Sequence, residues 1–238
     1  MDILLIPGFW LDGSSWSAVT PALTAAGHTV HPLTLPGLES PDADRGGIGL
    51  RDHIDAVVQA VDTLDGPVVL VGHSGGGAIA YGVVDARPER IARTVYVDSG
   101  PMSDGGVIND NLPEVNGEIP LPDWQFFEAA DLIGLTDDLR TMFRDRSVPQ
   151  PTGVAYDPQQ LSDERRWDVP ATLIACEFPS VVLQQWVADG HPFVQELARI
   201  KDVEFVDLPT GHWPQFTRPA DLGDAILAAV DRTGTGAA

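Results

Sequence analysis

Six short apolar runs that alternate with longer amphipathic segments predict an α/β protein built on a mostly parallel central sheet flanked by helices. The runs occupy residues 3–6, 29–33, 68–71, 94–97, 172–176 and 203–208; they are rich in Val, Ile and Leu and bounded by Gly, Pro or charged residues. Segments 15–26, 50–64, 76–86, 181–200 and 219–230 place apolar residues at three- and four-residue spacing, with Ser14 and Asp221 as cap candidates, and are read as crossover helices. One stretch breaks the alternation. Residues 100–169 are rich in Pro, Asp and aromatics, with a helical part near 124–144, and are expected to form a small cap insertion over the C-terminal edge of the sheet.

A chain of 238 residues suits one such domain, here expected to span 1–232, with the small polar residues of 233–238 forming a disordered tail. Hydrophobic residues at 43% and charged residues at 21% are in the globular range. A formal charge of −21 repels phosphate backbones and anionic lipid surfaces, so neither nucleic acid nor a membrane is an expected partner. A single cysteine, Cys176, excludes an intrachain disulfide and any thiolate-rich metal site. The N-terminus lacks a basic leader region, and no run approaches the ~18 apolar residues of a membrane span, so a cytoplasmic protein is expected. Monomer and homodimer both stay open.

The chemistry concentrates in Gly72-His73-Ser74-Gly75-Gly76, which directly follows the third apolar run and directly precedes a helical segment. Gly-x-Ser-x-Gly alone is a moderate signal; between a strand and a helix it reads as a turn so tight that a side chain at Gly72 or Gly76 would collide with its neighbours. Such a turn lifts Ser74 above the sheet edge and aims the Gly75 amide at a developing oxyanion. A glycine-rich turn without catalysis is the competing reading.

On these residues the chain resembles the α/β-hydrolase superfamily from Ile3 to Val230, in the manner of serine esterases. The resemblance implies the chain order nucleophile, acid, histidine. His212, in Thr210-Gly211-His212-Trp213, follows the last apolar run and precedes the last helix, where that superfamily carries its general base. His28, His31, His53, His73 and His191 are read as structural or solvent-exposed. The acid has two candidates. Asp98, at the end of the fourth run, sits where members resembling haloalkane dehalogenases carry theirs, and is preferred; Glu177, after the fifth run, is the alternative, although Pro179 stands where the usual aspartate is expected.

The turn Pro7-Gly8-Phe9-Trp10 resembles the superfamily's oxyanion loop, with Pro7 in place of a histidine, which makes the Phe9 amide the expected second oxyanion donor beside Gly75. Aromatics at Trp10, Trp124, Phe126, Phe127, Phe143, Trp186 and Trp213 are candidate pocket walls or core. No dinucleotide fingerprint, phosphate loop or metal-ligand spacing is present, so cofactor-free chemistry is expected. The expected function is hydrolysis of a small, partly apolar ester, lactone or thioester through an acyl-enzyme. A hydroxynitrile-lyase-like or C–C-cleaving enzyme, or a non-catalytic ligand-binding protein, are the alternatives on the same scaffold. The resemblance to plant hydroxynitrile lyases implies a lysine near the pocket, and the only lysine is Lys201.

Overall fold

The computed structural model describes residues 1–234. In chain order the elements are β1 (Asp2–Ile6), α1 (Thr20–Ala25), β2 (Thr29–Pro32), α2 (Leu50–Asp62), β3 (Val68–His73), α3 (Gly75–Ala86), β4 (Ile91–Val97), β5 (Glu118–Ile119), α4 (Asp137–Arg146), β6 (Gln150–Pro151), α5 (Thr152–Tyr156), β7 (Ala171–Ala175), α6 (Ser180–Ala188), β8 (Val203–Asp207), α7 (Pro214–Thr217) and α8 (Pro219–Asp231). Six of the strands form one sheet in the order β2-β1-β3-β4-β7-β8, with every neighbouring pair parallel. β3 is buried along its whole length, as a central strand covered on both faces must be, whereas the edge strands β2 and β8 are only partly buried.

Each face of the sheet carries its own core. α2 buries Leu50, His53, Ile54, Val57, Val58 and Val61, a stripe at helical spacing, on the side shared with α3 and the 100–169 segment. On the opposite face, Trp16, Leu23, Leu222, Ile226 and Val230 pack beneath Ile3, Leu5, Val69, Val71 and Val95. Strand order reverses at β1, whose neighbours are β2 and β3. A crevice therefore opens at the C-terminal ends of β1 and β3, where ligands bind in open α/β sheets.

Several expected helices are shorter than their periodicity implied. Segment 15–26 splits into a 3₁₀ turn, Gly13–Trp16, capped by Asp12, and α1, which restarts at Thr20 with Pro21 in its first turn. Segment 181–200 ends as a helix at Ala188, because Gly190 turns left-handed (φ 67°) and Pro192 follows. In the 124–144 stretch Trp124–Phe126 is a 3₁₀ turn, and the true helix begins at Asp137 behind a Thr136 side-chain cap. The antiparallel pair β5–β6 was not legible in two-residue strands. The expected tail begins within a 3₁₀ turn, Arg232–Gly234, and its remaining residues, 235–238, lie outside the described residues. No helix among the described residues is long and apolar enough to cross a membrane.

The 100–169 segment is fastened to the body by a buried polar network. Arg166 ion-pairs with Asp85 of α3 at 3.3 Å and with Glu196 at 3.1 Å, and Glu196 also accepts from Tyr81 and Trp167. Removing one partner of a buried pair leaves uncompensated charge, so Arg166→Ala is expected to destabilise the protein by about 3–5 kcal/mol, measurable by urea denaturation. A loss under ~1 kcal/mol would show that this network does not hold the segment down.

Candidate active site

The turn between β3 and α3 carries Ser74 with φ 52° and ψ −126°, a strained conformation for a residue with a side chain. The flanking glycines make it possible. A Cβ on Gly72 would lie 2.5 Å from the Gly76 carbonyl oxygen, and one on Gly76 would lie 2.6 Å from that of Pro7. The strain fixes Ser74 at the mouth of the crevice, and its Oγ lies 2.8 Å from His212 Nε2.

His212 reaches that position from the loop between β8 and α7, which is held on two sides. Its own amide donates to the Asp131 carbonyl at 2.8 Å, and the Gly211 amide donates to Ile133. Beneath it, the fully buried His73 meets the His212 carbonyl through Nε2 at 2.6 Å, and its Nδ1 lies 3.3 Å from Gln215 Nε2. A carbonyl only accepts, so His73 Nε2 carries the proton and Nδ1 accepts from the Gln215 amide. Burial, with the charge of His212 nearby, pushes the His73 pKa down to about 3, so it serves as a neutral prop.

Asp98, just past β4, places Oδ2 2.6 Å from His212 Nδ1. Its other oxygen accepts the amides of Cys176 and Glu177, both at 3.1 Å, which fixes the carboxylate plane. Because Asp98 can only accept, Nδ1 is the protonated nitrogen and Nε2 presents its lone pair to Ser74. The structure thus brings together Ser74, Asp98 and His212. Glu177 is close as well, with Oε2 3.4 Å from the same Nδ1.

The two residues expected to supply the oxyanion donors, Phe9 and Gly75, line the same cavity as Ser74. Phe9 follows β1 and Gly75 opens α3, where the first-turn amides have no intrahelical acceptor. The Phe9 ring packs so closely on Gly75 that a Cβ there would lie 2.7 Å from it. Trp10 beside it adopts φ 65°, and is pinned by Nε1–H donating to Ile119 and by its carbonyl accepting from Val148.

Above these residues lies a cavity of about 650 Å³. Trp10, Phe126, Phe127 and Trp186 line it as anticipated, whereas Trp124, Phe143 and Trp213 instead pack edge-on against one another behind the wall. Phe178 and Phe193 also line it; their only sequence signal is the adjacent Pro179, which precedes α6, and Pro192, which opens a 3₁₀ turn. The remaining histidines take other roles: His53 is buried against the Pro36 carbonyl with its pKa lowered to about 4 by burial, His31 meets Asp2, and His191 caps the Phe193 amide.

A family model described as the alpha/beta hydrolase family matches residues 3–225. The chain belongs to that family. It is 30% identical to a carbendazim hydrolyzing esterase from Nocardioides sp. strain SG-4G, covering 95% of this chain and 98% of that one. It is 26% identical to a pyrethroid hydrolase from Sphingobium wenxiniae, over 97% of this chain and 88% of the relative. Among solved structures, an extracellular alpha/beta-hydrolase from a Paenibacillus species superposes with a TM-score of 0.76 at 21% identity, covering 96% of this chain and 98% of the other. An Arabidopsis methylesterase superposes equally well, at 0.76 and 18% identity over 97% and 99% of the chains.

Within this alpha/beta hydrolase, electrostatics favour charge on the histidine. Burial disfavours the imidazolium, but the hydrogen bonds and negative charge of Asp98 and Glu177 outweigh it and raise the His212 pKa above the ordinary 6.5. Burial likewise opposes charge on Asp98, yet the His212 hydrogen bond holds its pKa below the ordinary carboxylate value. Glu177 goes the other way: burial, the neighbouring Asp131 carboxyl and Asp98 push its pKa well up against the pull of His212. Asp98, Glu177 and His212 also form the one group among the described residues with spacing that a metal ion could span, but each of its ligand atoms has a role around the His212 ring.

Proposed function

We propose that the protein is a carboxylic ester hydrolase working through an acyl-enzyme, with Ser74 as nucleophile, His212 as general base and then acid, Asp98 as the orienting carboxylate, and the Phe9 and Gly75 amides as oxyanion donors. The observation that carries this reading is the unbroken hydrogen-bond chain Ser74 Oγ, His212 Nε2, His212 Nδ1, Asp98 Oδ2 at 2.8 and 2.6 Å. His212 takes the Ser74 proton as Oγ attacks the ester carbonyl. It then returns that proton to the leaving alcohol, and activates water to release the acid. The esterase relatives support the same class of bond. The lysine of the lyase alternative is missing from the cavity: Lys201 is exposed and pairs with Asp168.

The cavity favours an apolar, uncharged substrate arm. Away from His212 its lining contains no Lys or Arg, while the Glu128 and Asp131 carboxyls reach it, so an anionic arm meets like charges there. Turnover of p-nitrophenyl acyl esters of increasing length tests the reading. Hydrolysis that is abolished by a serine-reactive phosphonate is expected, with kcat/KM at least tenfold higher for a neutral acyl chain than for the same chain ending in a carboxylate. Turnover indifferent to the phosphonate contradicts the acyl-enzyme; a preference for the carboxylated chain contradicts the assignment of the cavity.

The raised His212 pKa has a definite sign in a pH profile. General-base catalysis needs neutral imidazole, so the acid limb of kcat/KM follows protonation of His212 in the free enzyme. With that pKa raised, the half-maximal point is expected above pH 6.5, and the rate climbs into the alkaline range. A half-maximal point below pH 6.5 would mean that the carboxylates do not dominate over burial at this histidine.

A further inference from the structure

Two carboxylates from two neighbouring strands converge on one nitrogen, and one of them is enough for the mechanism above. β4 and β7 pair through Val97 and Ile174, so the residues that follow them emerge side by side. Asp98 binds the Glu177 amide with Oδ1 and His212 with Oδ2, which ties the backbone of the second acid to the first. The Glu177 side chain, only 12% exposed, then runs back over the same imidazole, leaving Oε2 at 3.4 Å from Nδ1 and Oε1 buried without a hydrogen-bond partner. Around His212 stand Asp98 from the end of β4, Glu177 from beyond β7, His73 and Ser74 from the end of β3, Trp213 edge-on to its ring, and Asp131 from the 100–169 segment, whose carbonyl accepts the His212 amide and whose carboxyl neighbours Glu177.

We propose that Glu177 is a positioning residue, a second acceptor for the His212 Nδ1–H held beside Asp98, which takes over that hydrogen when the Asp98 carboxylate is lost. The proposal rests on the serine-hydrolase reading of the site. In the intact protein Asp98 holds the single Nδ1 hydrogen by virtue of its shorter contact, 2.6 against 3.4 Å. Once that acceptor is removed, Glu177 Oε2 is the nearest replacement. Small torsional adjustments of a flexible glutamate close the remaining distance.

This geometry inverts the usual ranking of conservative and drastic substitutions at position 98. An asparagine must keep its carbonyl toward the Cys176 and Glu177 amides, because its NH₂ there would oppose two donors. The NH₂ then points at Nδ1 and forces the proton onto Nε2, the wrong tautomer, with Glu177 unable to help. An alanine imposes no donor, so Glu177 can accept the Nδ1–H. Asp98→Ala is therefore expected to keep at least tenfold more kcat than Asp98→Asn.

The test is a mutant cycle on one p-nitrophenyl ester with wild type, Asp98→Ala, Glu177→Leu and the double variant, each checked for cooperative melting. Glu177→Leu, which carries no acceptor, is expected to cost a few-fold in the wild-type background and about 10²-fold in the Asp98→Ala background, of the order by which a lost orienting acid can lower turnover. The loss is expected in kcat with KM nearly constant, a split that loosened packing of the cavity wall would not give. Should Asp98→Ala fail to fold, Asp98→Ser, whose hydroxyl can accept the Cys176 amide, replaces it. An equal cost of Glu177→Leu in both backgrounds, or an Asp98→Ala enzyme no better than Asp98→Asn, overturns the proposal. Loss of phosphonate-sensitive turnover in the wild type itself would instead overturn the underlying hydrolase reading.

Discussion

Ser74→Ala is expected to lower kcat by about 10⁶, to the residual rate that oxyanion donors and substrate binding alone can support. The substitution removes one oxygen, whose partner is His212 Nε2 at 2.8 Å, and leaves the Cβ that fixes the turn. Alanine tolerates the Ser74 backbone about as well as serine, because the crowding in the turn is relieved at Gly72 and Gly76. The protein should therefore melt at the wild-type temperature or slightly above, as active-site strain and desolvation are often relieved by such changes. Steady-state kinetics and a thermal melt on the same preparation check both halves. A loss under tenfold would place the nucleophile elsewhere.

The second large effect belongs to Asp98→Asn, which is expected to cost about 10⁴ in kcat with little change in KM. The cause is the tautomer argued from the Cys176 and Glu177 amides, which hold the carbonyl of an amide side chain and so turn its NH₂ toward His212. Because asparagine has the same shape and keeps an oxygen for the Cys176 and Glu177 amides, the variant should remain folded while its histidine faces Ser74 with an N–H. Glu177→Gln in the otherwise intact protein should be far milder. The reverse ranking would make Glu177 the working acid and Asp98 a loop anchor.

The parts of this site that the sequence made legible are those where sterics leave one solution. Gly72 and Gly76 announce the Ser74 turn because any Cβ there would meet a main-chain oxygen, and His212 is placed by following the last strand. The acid was legible only as a choice between two strand ends. That both ends approach one histidine depends on β4 and β7 being neighbours in the sheet, which is long-range information that no local pattern carries. The supporting contacts were out of reach for the same reason: the His73 and Gln215 prop beneath His212, and the Asp131 carbonyl above it, join segments far apart in the chain. Segment 181–200 shows the converse failure. Its apolar period continues past Gly190 and Pro192 although the helix cannot, and the two residues that break it also turn Phe193 into the cavity. Aromatic content likewise did not distinguish wall from core, since Trp10 and Trp124 look alike in sequence and differ only in what packs behind them.

The most direct measurement is mass spectrometry of the protein quenched with acid during steady-state turnover of a p-nitrophenyl ester, followed by peptide mapping. One acyl group per chain, on Ser74, is expected, and its amount should rise in a His212→Gln variant only if deacylation suffers more than acylation. Turnover with no acylated protein, or an acyl group on any residue other than Ser74, would contradict the account.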